Sequence, residues 1–314
     1  MKTEFIHWLR DQKGPVSGEV LSRRFGLTRA GVWKRVRELR AEGYIIEASR
    51  RSGYRYVRSP DKLLPAEIGY GLNTRYMGRR VVYEEVMAST MPRAFQLAEA
   101  GAPEGTLVCV ETQTEGRGRL GRGWRSPYGV GLYFSVVLYP ETLSVTEVPQ
   151  LTLMSAVALC EALREASGLD IRIKWPNDLL IKGKKVAGIL METKAEVDKV
   201  WFAILGVGVN VNTSLKDLPE GAASLSSVSQ RRYDRVALLR KILAALEGWY
   251  DQARTNGLLP VRQRWKQLSA TLGRRVRCNG TTGVAEDIDE DGRLMIRGPQ
   301  GKVVRCLSGS LEIL

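Results

Sequence analysis

The first sixty residues combine three short helical patterns with two β-like runs. Apolar residues at helical spacing predict helices at residues 5–10, at residues 20–25 and after the N-cap Thr28. The two β-like runs fall between residues 44 and 58 and would form a hairpin. This order of elements predicts a winged helix-turn-helix domain over residues 1–60.

The third predicted helix separates an apolar face from a basic one. Val32, Val36 and Leu39 fall at the spacing of a buried face, which leaves the cationic side chains on the remaining surface. The hairpin would add positive charge beside them. The candidate DNA-binding residues are Arg29, Trp33, Lys34 and Arg37 on the helix, with Arg50 and Arg51 in the hairpin.

The largest region, residues 61–270, alternates strand-like runs with helical ones. An aperiodic segment with two prolines, residues 58–65, would link it to the first domain. Strands outnumber helices, and several turns are too short for a helical crossover, so we expect an α+β domain with a mixed sheet. The strand-like runs are 80–86, 106–113, 131–139, 171–175, 185–193 and 200–211, and the helical runs are 92–100, 149–167 and 235–253.

The last segment, residues 271–314, contains turn signals at short intervals. NGTTG, DEDG, GPQG and SGS are separated by short alternating runs. This spacing is typical of a small β-barrel, here of the SH3-like kind. The chain is therefore predicted to be multidomain, with a winged helix-turn-helix, a central α+β domain and a small C-terminal barrel.

Composition narrows the class of protein. The 314 residues are 44% hydrophobic and 26% charged, which is typical of globular domains. With no run of eighteen apolar residues and no secretory leader, we expect a cytoplasmic protein without membrane contact. The four cysteines are widely spaced and are expected to be reduced. The single histidine has no ligand partner nearby, so neither structural zinc nor a Ser-His-Asp triad is expected.

The positive charge is concentrated near the N-terminus. The formal net charge is +14, and residues 1–60 hold 14 Lys/Arg against 6 Asp/Glu. Such a patch on a helix-turn-helix indicates DNA as the partner. A single module would bind weakly, so a dimer would be needed to occupy two half-sites of an operator. A small basic domain that binds another protein is the alternative interpretation.

A loop of alternating arginine and glycine, EGRGRLGRGW at residues 115–124, lies between two predicted strands. Arg117, Arg119 and Arg122 offer forked donors for carboxylate or phosphate, and the glycines let the backbone approach a ligand. The glycines also match the dinucleotide pattern G-x-G-x-x-G, but a strand rather than a helix follows them. Disordered Arg/Gly segments are usually longer and repetitive. We therefore expect a loop that closes over a bound anion.

Two neighbouring segments supply neutral hydrogen-bonding groups. Ser89, Thr90 and Met91 precede Pro92, a preferred first helical residue, so the two hydroxyls would lie at a helix N-terminus, beside free backbone donors. A simple helix cap is the alternative. Gln113 leads into the arginine loop and can both donate and accept, which suits a urea or amide group.

Later in the chain, KWPNDLL is followed by KKVAGILME and then by GVGVNVN. We expect Lys174 and Lys185 to stand on neighbouring strands, with Asp178 holding a magnesium ion or orienting a lysine. Gly188 would make room for a ring against the backbone. The glycines of residues 206–212 would form the floor of a binding site, and the two asparagine amides would lie at its polar end.

These segments together resemble one known family. GRGRLGRGW, KWPNDLL, KVAGIL and GVGVNVN, behind a helix-turn-helix and before a β tail, are similar to the bifunctional biotin protein ligases that also act as biotin operon repressors. The resemblance implies an enzyme that joins biotin to ATP, forming biotinyl-5'-AMP and pyrophosphate, with Mg²⁺ as cofactor. It implies transfer of the biotinyl group to one lysine of a biotin carboxyl carrier domain. It also implies a homodimer that represses transcription at operator DNA when biotinyl-5'-AMP is bound.

The same resemblance implies roles for individual residues. Lys185 would bridge the biotin carboxylate and the α-phosphate, and Arg119 would order over the adenylate. The residues implied in biotin binding are Ser89, Thr90, Met91, Gln113, Gly116, Arg117, Gly118, Arg119, Lys185 and Gly188. Those implied in ATP or adenylate binding are Arg119, Arg122, Trp124, Lys174, Asn177, Asp178 and Asn210, with Asp178 as the magnesium ligand.

The chain departs from the family pattern at a few positions. Leu120 and Gly123 stand where members often carry basic residues. Met91 replaces a common asparagine, and Ala88 stands where an acid is often found. Ser310 stands where an acidic residue is usual, which bears on any contribution of the β tail to ATP binding.

Two other functions share parts of this pattern. A ligand-sensing repressor would bind a small acid without chemistry and would need no ATP. A lipoate ligase with an added DNA-binding domain would take a different acid, so competition between biotin and lipoate would distinguish it.

Overall fold

A computed structural model describes residues 2–49, 51–307 and 309–314. The chain forms two compact units, Met1–Gly71 and Leu72–Leu314. Residues 61–71 lie in the first unit and residues 271–314 in the second. The domain boundaries drawn after residues 60 and 270 from the sequence stay predictions.

The first unit contains the predicted helix-turn-helix followed by a two-stranded antiparallel hairpin. The side chains of Ser17 and Thr28 each cap the N-terminus of a helix, and Gly26 turns the chain between the two helices with φ = 62°. The elements are α1 (Lys2–Arg10), α2 (Gly18–Phe25), α3 (Arg29–Ala41), β1 (Ile45–Ser49), β2 (Gly53–Arg58) and α4 (Pro65–Gly69).

The core of this unit is formed by the predicted apolar face of α3. Val32, Val36 and Leu39 are buried together with residues of α1 and α2. Arg40, on the other side of α3, donates from Nε to the backbone carbonyl of Ile46 at 2.9 Å. This bond ties the end of α3 to the hairpin.

The second unit is built on a seven-stranded mixed sheet, as expected. Its order is β3-β4-β5-β9-β8-β7-β6; β3 and β4 are parallel and the other neighbours are antiparallel. The strands are β3 (Val81–Met87), β4 (Leu107–Gln113), β5 (Leu132–Leu138), β6 (Ile171–Lys174), β7 (Asp178–Ile181), β8 (Lys184–Ala195) and β9 (Val200–Val209).

The short strand β7 corrects the expected arrangement of two lysines. Lys174 ends β6 and Lys185 lies on β8, but β7 runs between these strands, so the two lysines are not on neighbouring strands. The sequence DLLI after the turn is apolar enough to form a strand of its own. Asp178 therefore pairs with Lys174 on one side and with Gly188 on the other.

The helices of the second unit are α5 (Thr90–Glu99), α6 (Leu151–Ser167), α7 (Leu225–Ser229), α8 (Arg235–Asn256) and α9 (Leu259–Leu268). Helix α5 begins two residues before the predicted Pro92, because Ser89 is the N-cap and the proline occupies the third helical position. Helix α9 was not predicted. Its buried residues, Val261, Trp265 and Leu268, do have helical spacing, after a proline near the helix start.

The C-terminal segment forms a five-stranded antiparallel sheet of order β13-β12-β11-β10-β14. Among the described residues, the two edge strands β13 and β14 are not paired with each other, so no closed barrel is seen. The Trp175 indole donates to the Gly292 carbonyl at 3.1 Å and links this sheet to the β6–β7 turn. The strands are β10 (Arg275–Cys278), β11 (Thr281–Ile288), β12 (Leu294–Arg297), β13 (Val303–Cys306) and β14 (Leu311–Ile313).

The four cysteines are free and buried, as expected for reduced structural thiols. Burial raises the pKa of the Cys160 and Cys278 thiols to about 12, so neither forms a thiolate nucleophile near neutral pH. In the part of the chain that the structure describes, no helix has the length and apolar character needed to span a bilayer.

Helix α8 contributes a fully buried leucine whose removal should destabilise the larger unit. We expect Leu239→Ala to lower the free energy of unfolding by about 2–5 kcal/mol, because a cavity replaces its side chain. Urea unfolding followed by circular dichroism measures this. The control Leu259→Ala, at a 55% exposed position, should change the free energy by less than about 0.5 kcal/mol. Equal losses for both variants would contradict the assigned core.

Candidate functional site

A cavity of about 240 Å³ lies over the middle of β8 and β9 in the larger unit. The structure brings together there most of the residues that the sequence suggested as ligand contacts. They are Ser89, Thr90, Met91, Gln113, Arg117, Gly118, Arg119, Arg122, Trp124, Lys174, Asn177, Asp178, Lys185 and Gly188.

The floor of the cavity is a row of glycines on the two central strands. Gly188 on β8 lies opposite Gly208 on β9. The Trp124 ring lies against both: an added Cβ would come within 2.4 Å of the ring at Gly208 and within 3.0 Å at Gly188. At Gly206, a Cβ would lie 2.4 Å from the Met91 sulfur. These strands therefore have no side chain where Trp124 and Met91 approach the sheet.

Lys185 is the cation closest to this floor. Its Nζ lies 2.7 Å from Asp178 Oδ1 on the neighbouring strand and 5.4 Å from the centroid of the Trp124 ring. The lysine side chain is 36% exposed and that of Asp178 is 22% exposed. Lys185 is therefore held by a carboxylate and an aromatic face, while its amine remains accessible from the cavity.

The arginine loop forms a narrow hairpin. The amide of Trp124 donates to the Gly116 carbonyl at 2.8 Å, and that of Gly118 donates to the Arg122 carbonyl at 2.7 Å. At the tip, Leu120 and Gly121 both have positive φ, 57° and 72°, which is the conformation of a type I′ turn. Leu120 adopts this unfavourable conformation while 72% exposed.

Arg119 is the loop residue that turns inward. Its Nη1 donates to Asn177 Oδ1 at 2.9 Å, and the Asn177 amide in turn donates to the Ile189 carbonyl at 2.8 Å. Burial lowers the pKa of the Arg119 guanidinium, and the nearby Asp178 carboxylate opposes that shift. The group remains a cation in a half-buried place, where a ligand anion would be a stronger partner than an amide.

The other two loop arginines are exposed. Arg117 lies 3.8 Å from the Glu115 carboxylate, and Arg122 donates to Ser310 Oγ at 3.1 Å. Ser310 thus contacts the arginine loop even though it is not acidic. Ser310 and Leu311 also line the cavity, so the C-terminal sheet contributes to its wall.

The start of α5 supplies a second polar wall. The Thr90 amide donates to Gln113 Oε1 at 2.9 Å, and the hydroxyls of Thr90 and Ser135 lie 2.8 Å apart. Gln113 Nε2 donates to Ser126 Oγ at 3.2 Å. Ser89 is the N-cap, but its side chain receives no capping hydrogen bond from the described helix backbone. Its hydroxyl is therefore available to a ligand, contrary to the simple-cap alternative.

Asn210 and Gly116 lie outside this cavity wall. Asn210 lines a neighbouring pocket of about 210 Å³, which shares Trp124 and Lys185 with the first cavity. Thr213 also lines it and was missed from the sequence, although it follows GVGVNVN directly. The Trp124 indole nitrogen is buried without a hydrogen-bond partner among the described residues. Polar groups left in this way indicate a binding site.

Asp178 is the single carboxylate among the described residues that line the cavity. Within residues 2–49, 51–307 and 309–314 there is no cluster of three metal-ligating side chains. One carboxylate does suit Mg²⁺, which usually keeps water ligands and is shared with substrate phosphates. The donor set therefore fits a magnesium ion that arrives with a nucleotide.

The first unit carries a separate basic surface. Arg29, Trp33, Lys34 and Arg37 are exposed on α3, and Trp33 is 54% exposed. The Arg37 guanidinium lies 4.8 Å from the centroid of the Trp33 ring. Arg51 is exposed in the hairpin turn, whereas the predicted contact Arg50 lies outside the described residues. This surface has the chemistry of a nucleic-acid-binding face.

Comparisons with known proteins match both units. Residues 83–210 match the biotin/lipoate A/B protein ligase family, and residues 2–55 match a helix-turn-helix family. The chain is 41% identical to the bifunctional ligase/repressor BirA of Bacillus subtilis, over 95% of this chain and 94% of that protein. It is 30% identical to the Escherichia coli protein of that name, over 95% and 92%.

A solved structure supports the same similarity for the larger part of the chain. A biotin protein ligase from Aquifex aeolicus, in complex with biotin and ATP, superposes with a TM-score of 0.66 at 30% sequence identity. The match covers 75% of this chain and 100% of that one.

The glycine floor can be tested independently of any ligand. We expect Gly208→Ala to displace Trp124, because the new Cβ would overlap the ring. The hairpin should then open, and trypsin should cleave after its arginines several times faster. Timed proteolysis with mass spectrometry measures the cleavage. Gly248→Ala, where a Cβ meets nothing within 4 Å, should leave the cleavage rate at the wild-type value.

Proposed function

Because this chain belongs to the biotin/lipoate A/B protein ligase family and carries a helix-turn-helix at its N-terminus, we propose that it is an ATP-dependent biotin protein ligase that also represses transcription. The observation that carries the enzymatic proposal is the meeting of Lys185, Asp178 and Trp124 above the glycine floor, with Arg119 closing from the other side. Biotin is the proposed acid because the similar Aquifex aeolicus structure is a biotin protein ligase in complex with biotin and ATP.

The first step joins two anions. An oxygen of the biotin carboxylate attacks the α-phosphorus of ATP, the bond to the β-phosphate oxygen breaks, and pyrophosphate leaves. We assign Lys185 to the space between carboxylate and α-phosphate, where its charge offsets their repulsion. In a medium of effective dielectric constant ~20, each close charge pair contributes roughly a few kcal/mol. Lys185 would exchange Asp178 for the ligand oxygens as they arrive.

The arginine loop is proposed to protect the product of this step. Arg119 would move from Asn177 to the phosphate of biotinyl-5'-AMP, and Gly116, Arg117 and Gly118 would bring backbone amides close to it. A closed hairpin would exclude water, which otherwise hydrolyses the mixed anhydride. Among the described residues, the tip of the hairpin is held by hydrogen bonds within the hairpin and by those of the Arg119 and Arg122 side chains. It can therefore rearrange at a modest cost in free energy.

The two walls suggest how the substrates are oriented. Ser89, Thr90, Gln113 and Gly188, beside Met91, would receive the biotin ring system. Gln113 retains one amide hydrogen for it, because the other is directed to Ser126. The nucleotide would occupy the side that carries Arg122, Trp124, Lys174 and Asn177. The neighbouring pocket with Asn210 and Thr213 would take its nucleoside end.

Asp178 is proposed to hold Mg²⁺ together with the ATP phosphates. When bound, the ion would neutralise phosphate charge and orient the chain of phosphates. Asp178 would then change partners, from Lys185 in the unliganded site to the magnesium ion in the site that holds ATP. Release of Lys185 would coincide with nucleotide binding.

The second step transfers the biotinyl group to a protein lysine. The amine of the acceptor attacks the acyl carbon, and AMP leaves. The acceptor supplies the nucleophile, so the enzyme needs no catalytic serine or thiolate, in agreement with its buried thiols. A biotin carboxyl carrier domain is the proposed acceptor.

The repressor activity is proposed to use the basic surface of α3 at operator DNA. Biotinyl-5'-AMP would favour a homodimer, which places two such surfaces on two half-sites. We further propose that the C-terminal sheet is an SH3-like barrel. Its five short antiparallel strands support this.

The role of Lys185 can be separated from general charge effects. We expect Lys185→Met to lower biotin-dependent pyrophosphate release by at least about a hundredfold, because the repulsion between carboxylate and phosphate is no longer offset. A coupled pyrophosphate assay measures this. The neighbouring exposed lysine provides the control, and Lys184→Met should keep the wild-type rate. A chain that binds biotin but never releases pyrophosphate would instead be a sensor.

The DNA contacts predict a clean separation of the two activities. We expect Arg29→Ala and Lys34→Ala each to weaken binding to operator DNA and to reduce its salt dependence by about one unit of slope per lost phosphate contact. Ligation should be unchanged. Fluorescence anisotropy at several salt concentrations measures the slopes, and Lys241→Ala in the larger unit is the control. Normal DNA binding by both variants would place the recognition surface elsewhere.

A further inference from the structure

A fully buried ion pair lies behind the arginine loop and has no role in the chemistry above. Arg235 Nη1 lies 2.8 Å from Glu111 Oε2, and both side chains are 0% exposed. Glu111 belongs to β4, the strand that leads into the loop, and Arg235 is the first residue of α8. The pair joins the sheet to a helix directly beneath the segment that follows the hairpin.

Stability alone does not account for such a pair. Removing two charges from water costs several kcal/mol per ion, and apolar residues of similar size often stabilise a core equally well. The two charged side chains therefore serve to hold nearby backbone in a fixed position. The backbone in question is residues 126–131, the segment between the hairpin and β5, which we call the heel of the loop.

The heel is fixed to its surroundings by hydrogen bonds along its length. Arg235 Nη1 also donates to the Gly131 carbonyl at 3.1 Å. The Gly129 amide donates to the Glu111 carbonyl at 3.1 Å, and the Tyr133 hydroxyl donates to the Pro127 carbonyl at 3.2 Å. The Arg235 side chain therefore anchors the end of the heel, and the backbone of Glu111, whose side chain holds Arg235, anchors its middle.

Pro127 of the heel, together with the two residues just before the heel, forms one wall of the pocket assigned to the nucleoside. Trp124, Arg125 and Pro127 line that pocket opposite Asn210 and Thr213. A shift of the heel would move this wall without moving β8, on which Lys185 stands. The ion pair is therefore placed to set the distance between the two walls of the nucleoside pocket.

We propose that Glu111 and Arg235 are positioning residues for ATP, which hold the heel still while the hairpin tip opens and closes. This inference rests on the proposed ligase function. It separates a fixed base, residues 126–131, from a mobile tip, residues 117–123. Neither residue touches the reacting atoms, so both act through the wall that contains Trp124 and Pro127.

The test replaces the pair by apolar residues of similar size in the chain of 314 residues. We expect Glu111→Leu/Arg235→Met to fold with a thermal midpoint close to that of the wild type. Its KM for ATP should rise roughly tenfold, because even a shift of about 1 Å in a site wall is costly. The KM for biotin should rise by a smaller factor than the KM for ATP, since the heel meets the Ser89–Gln113 wall only at its first residue, where Gln113 Nε2 donates to Ser126 Oγ. Initial rates of pyrophosphate release measure both constants.

A second readout follows the intermediate. A displaced heel should weaken closure over biotinyl-5'-AMP, so more pyrophosphate should be formed per biotin transferred to a carrier domain. A purely structural role would lower both products in proportion and leave their ratio unchanged. The matched control is Glu165→Leu/Lys241→Met, which removes an exposed ion pair between α6 and the same helix α8.

Tyr133→Phe keeps the test decisive if the double variant fails to fold. It removes the bond to the Pro127 carbonyl and leaves the ring in the core, and its KM for ATP should rise in the same direction by a smaller factor. A folded variant of either kind with an unchanged KM for ATP and an unchanged product ratio would overturn the inference. Failure of the wild-type chain to release pyrophosphate would instead overturn the ligase proposal.

Discussion

The site depends on the close contact between the Trp124 ring and the glycines of the central strands. Because β8 and β9 carry no side chain at Gly188 and Gly208, the ring can lie directly on the sheet. The ring then faces the Lys185 amine and fixes the end of the arginine hairpin through the Trp124 amide. A single methyl group at Gly208 would separate these parts, so the lysine, the loop and the floor form one arrangement.

The second constraint is the management of positive charge. Lys174, Lys185, Arg119 and Arg122 line a cavity in which Asp178 is the one carboxylate among the described lining residues. Each of three cations has a replaceable partner: Lys185 has Asp178, Arg119 has Asn177 and Arg122 has Ser310. The partners of the two arginines are neutral and bind them more weakly than phosphate or carboxylate oxygens would, whereas Lys185 already has a carboxylate partner. The cations are therefore already in position to bind an anion, and their partners keep them there when no anion is bound.

The sequence predicted the parts of this structure that local patterns determine. Helical spacing on α3, the cap at Thr28 and the alternation of the long strands gave the helix-turn-helix and six strands of the mixed sheet. The four-residue strand β7 was missed because its apolar run DLLI does not alternate, whereas the equally short β6 alternates as IRIK. Most cavity residues were identified from motifs, but Thr213 was not. The Glu111–Arg235 pair was also missed, since 124 residues separate its members and only the tertiary fold brings them together.

The division into two units shapes the proposed link between catalysis and repression. Each unit has its own core, so a signal from the ligand does not require a deformable path through packed side chains. In the proposed scheme a change in assembly would be sufficient: ordering of the exposed hairpin tip around Leu120 would alter a surface, and two joined chains would present twice the basic residues of one α3 to DNA. Under the proposed function, biotinyl-5'-AMP would order that tip and transfer would consume it, so an acceptor protein and an operator would compete for the same closed form of the loop. Repression would then follow the supply of unmodified acceptor.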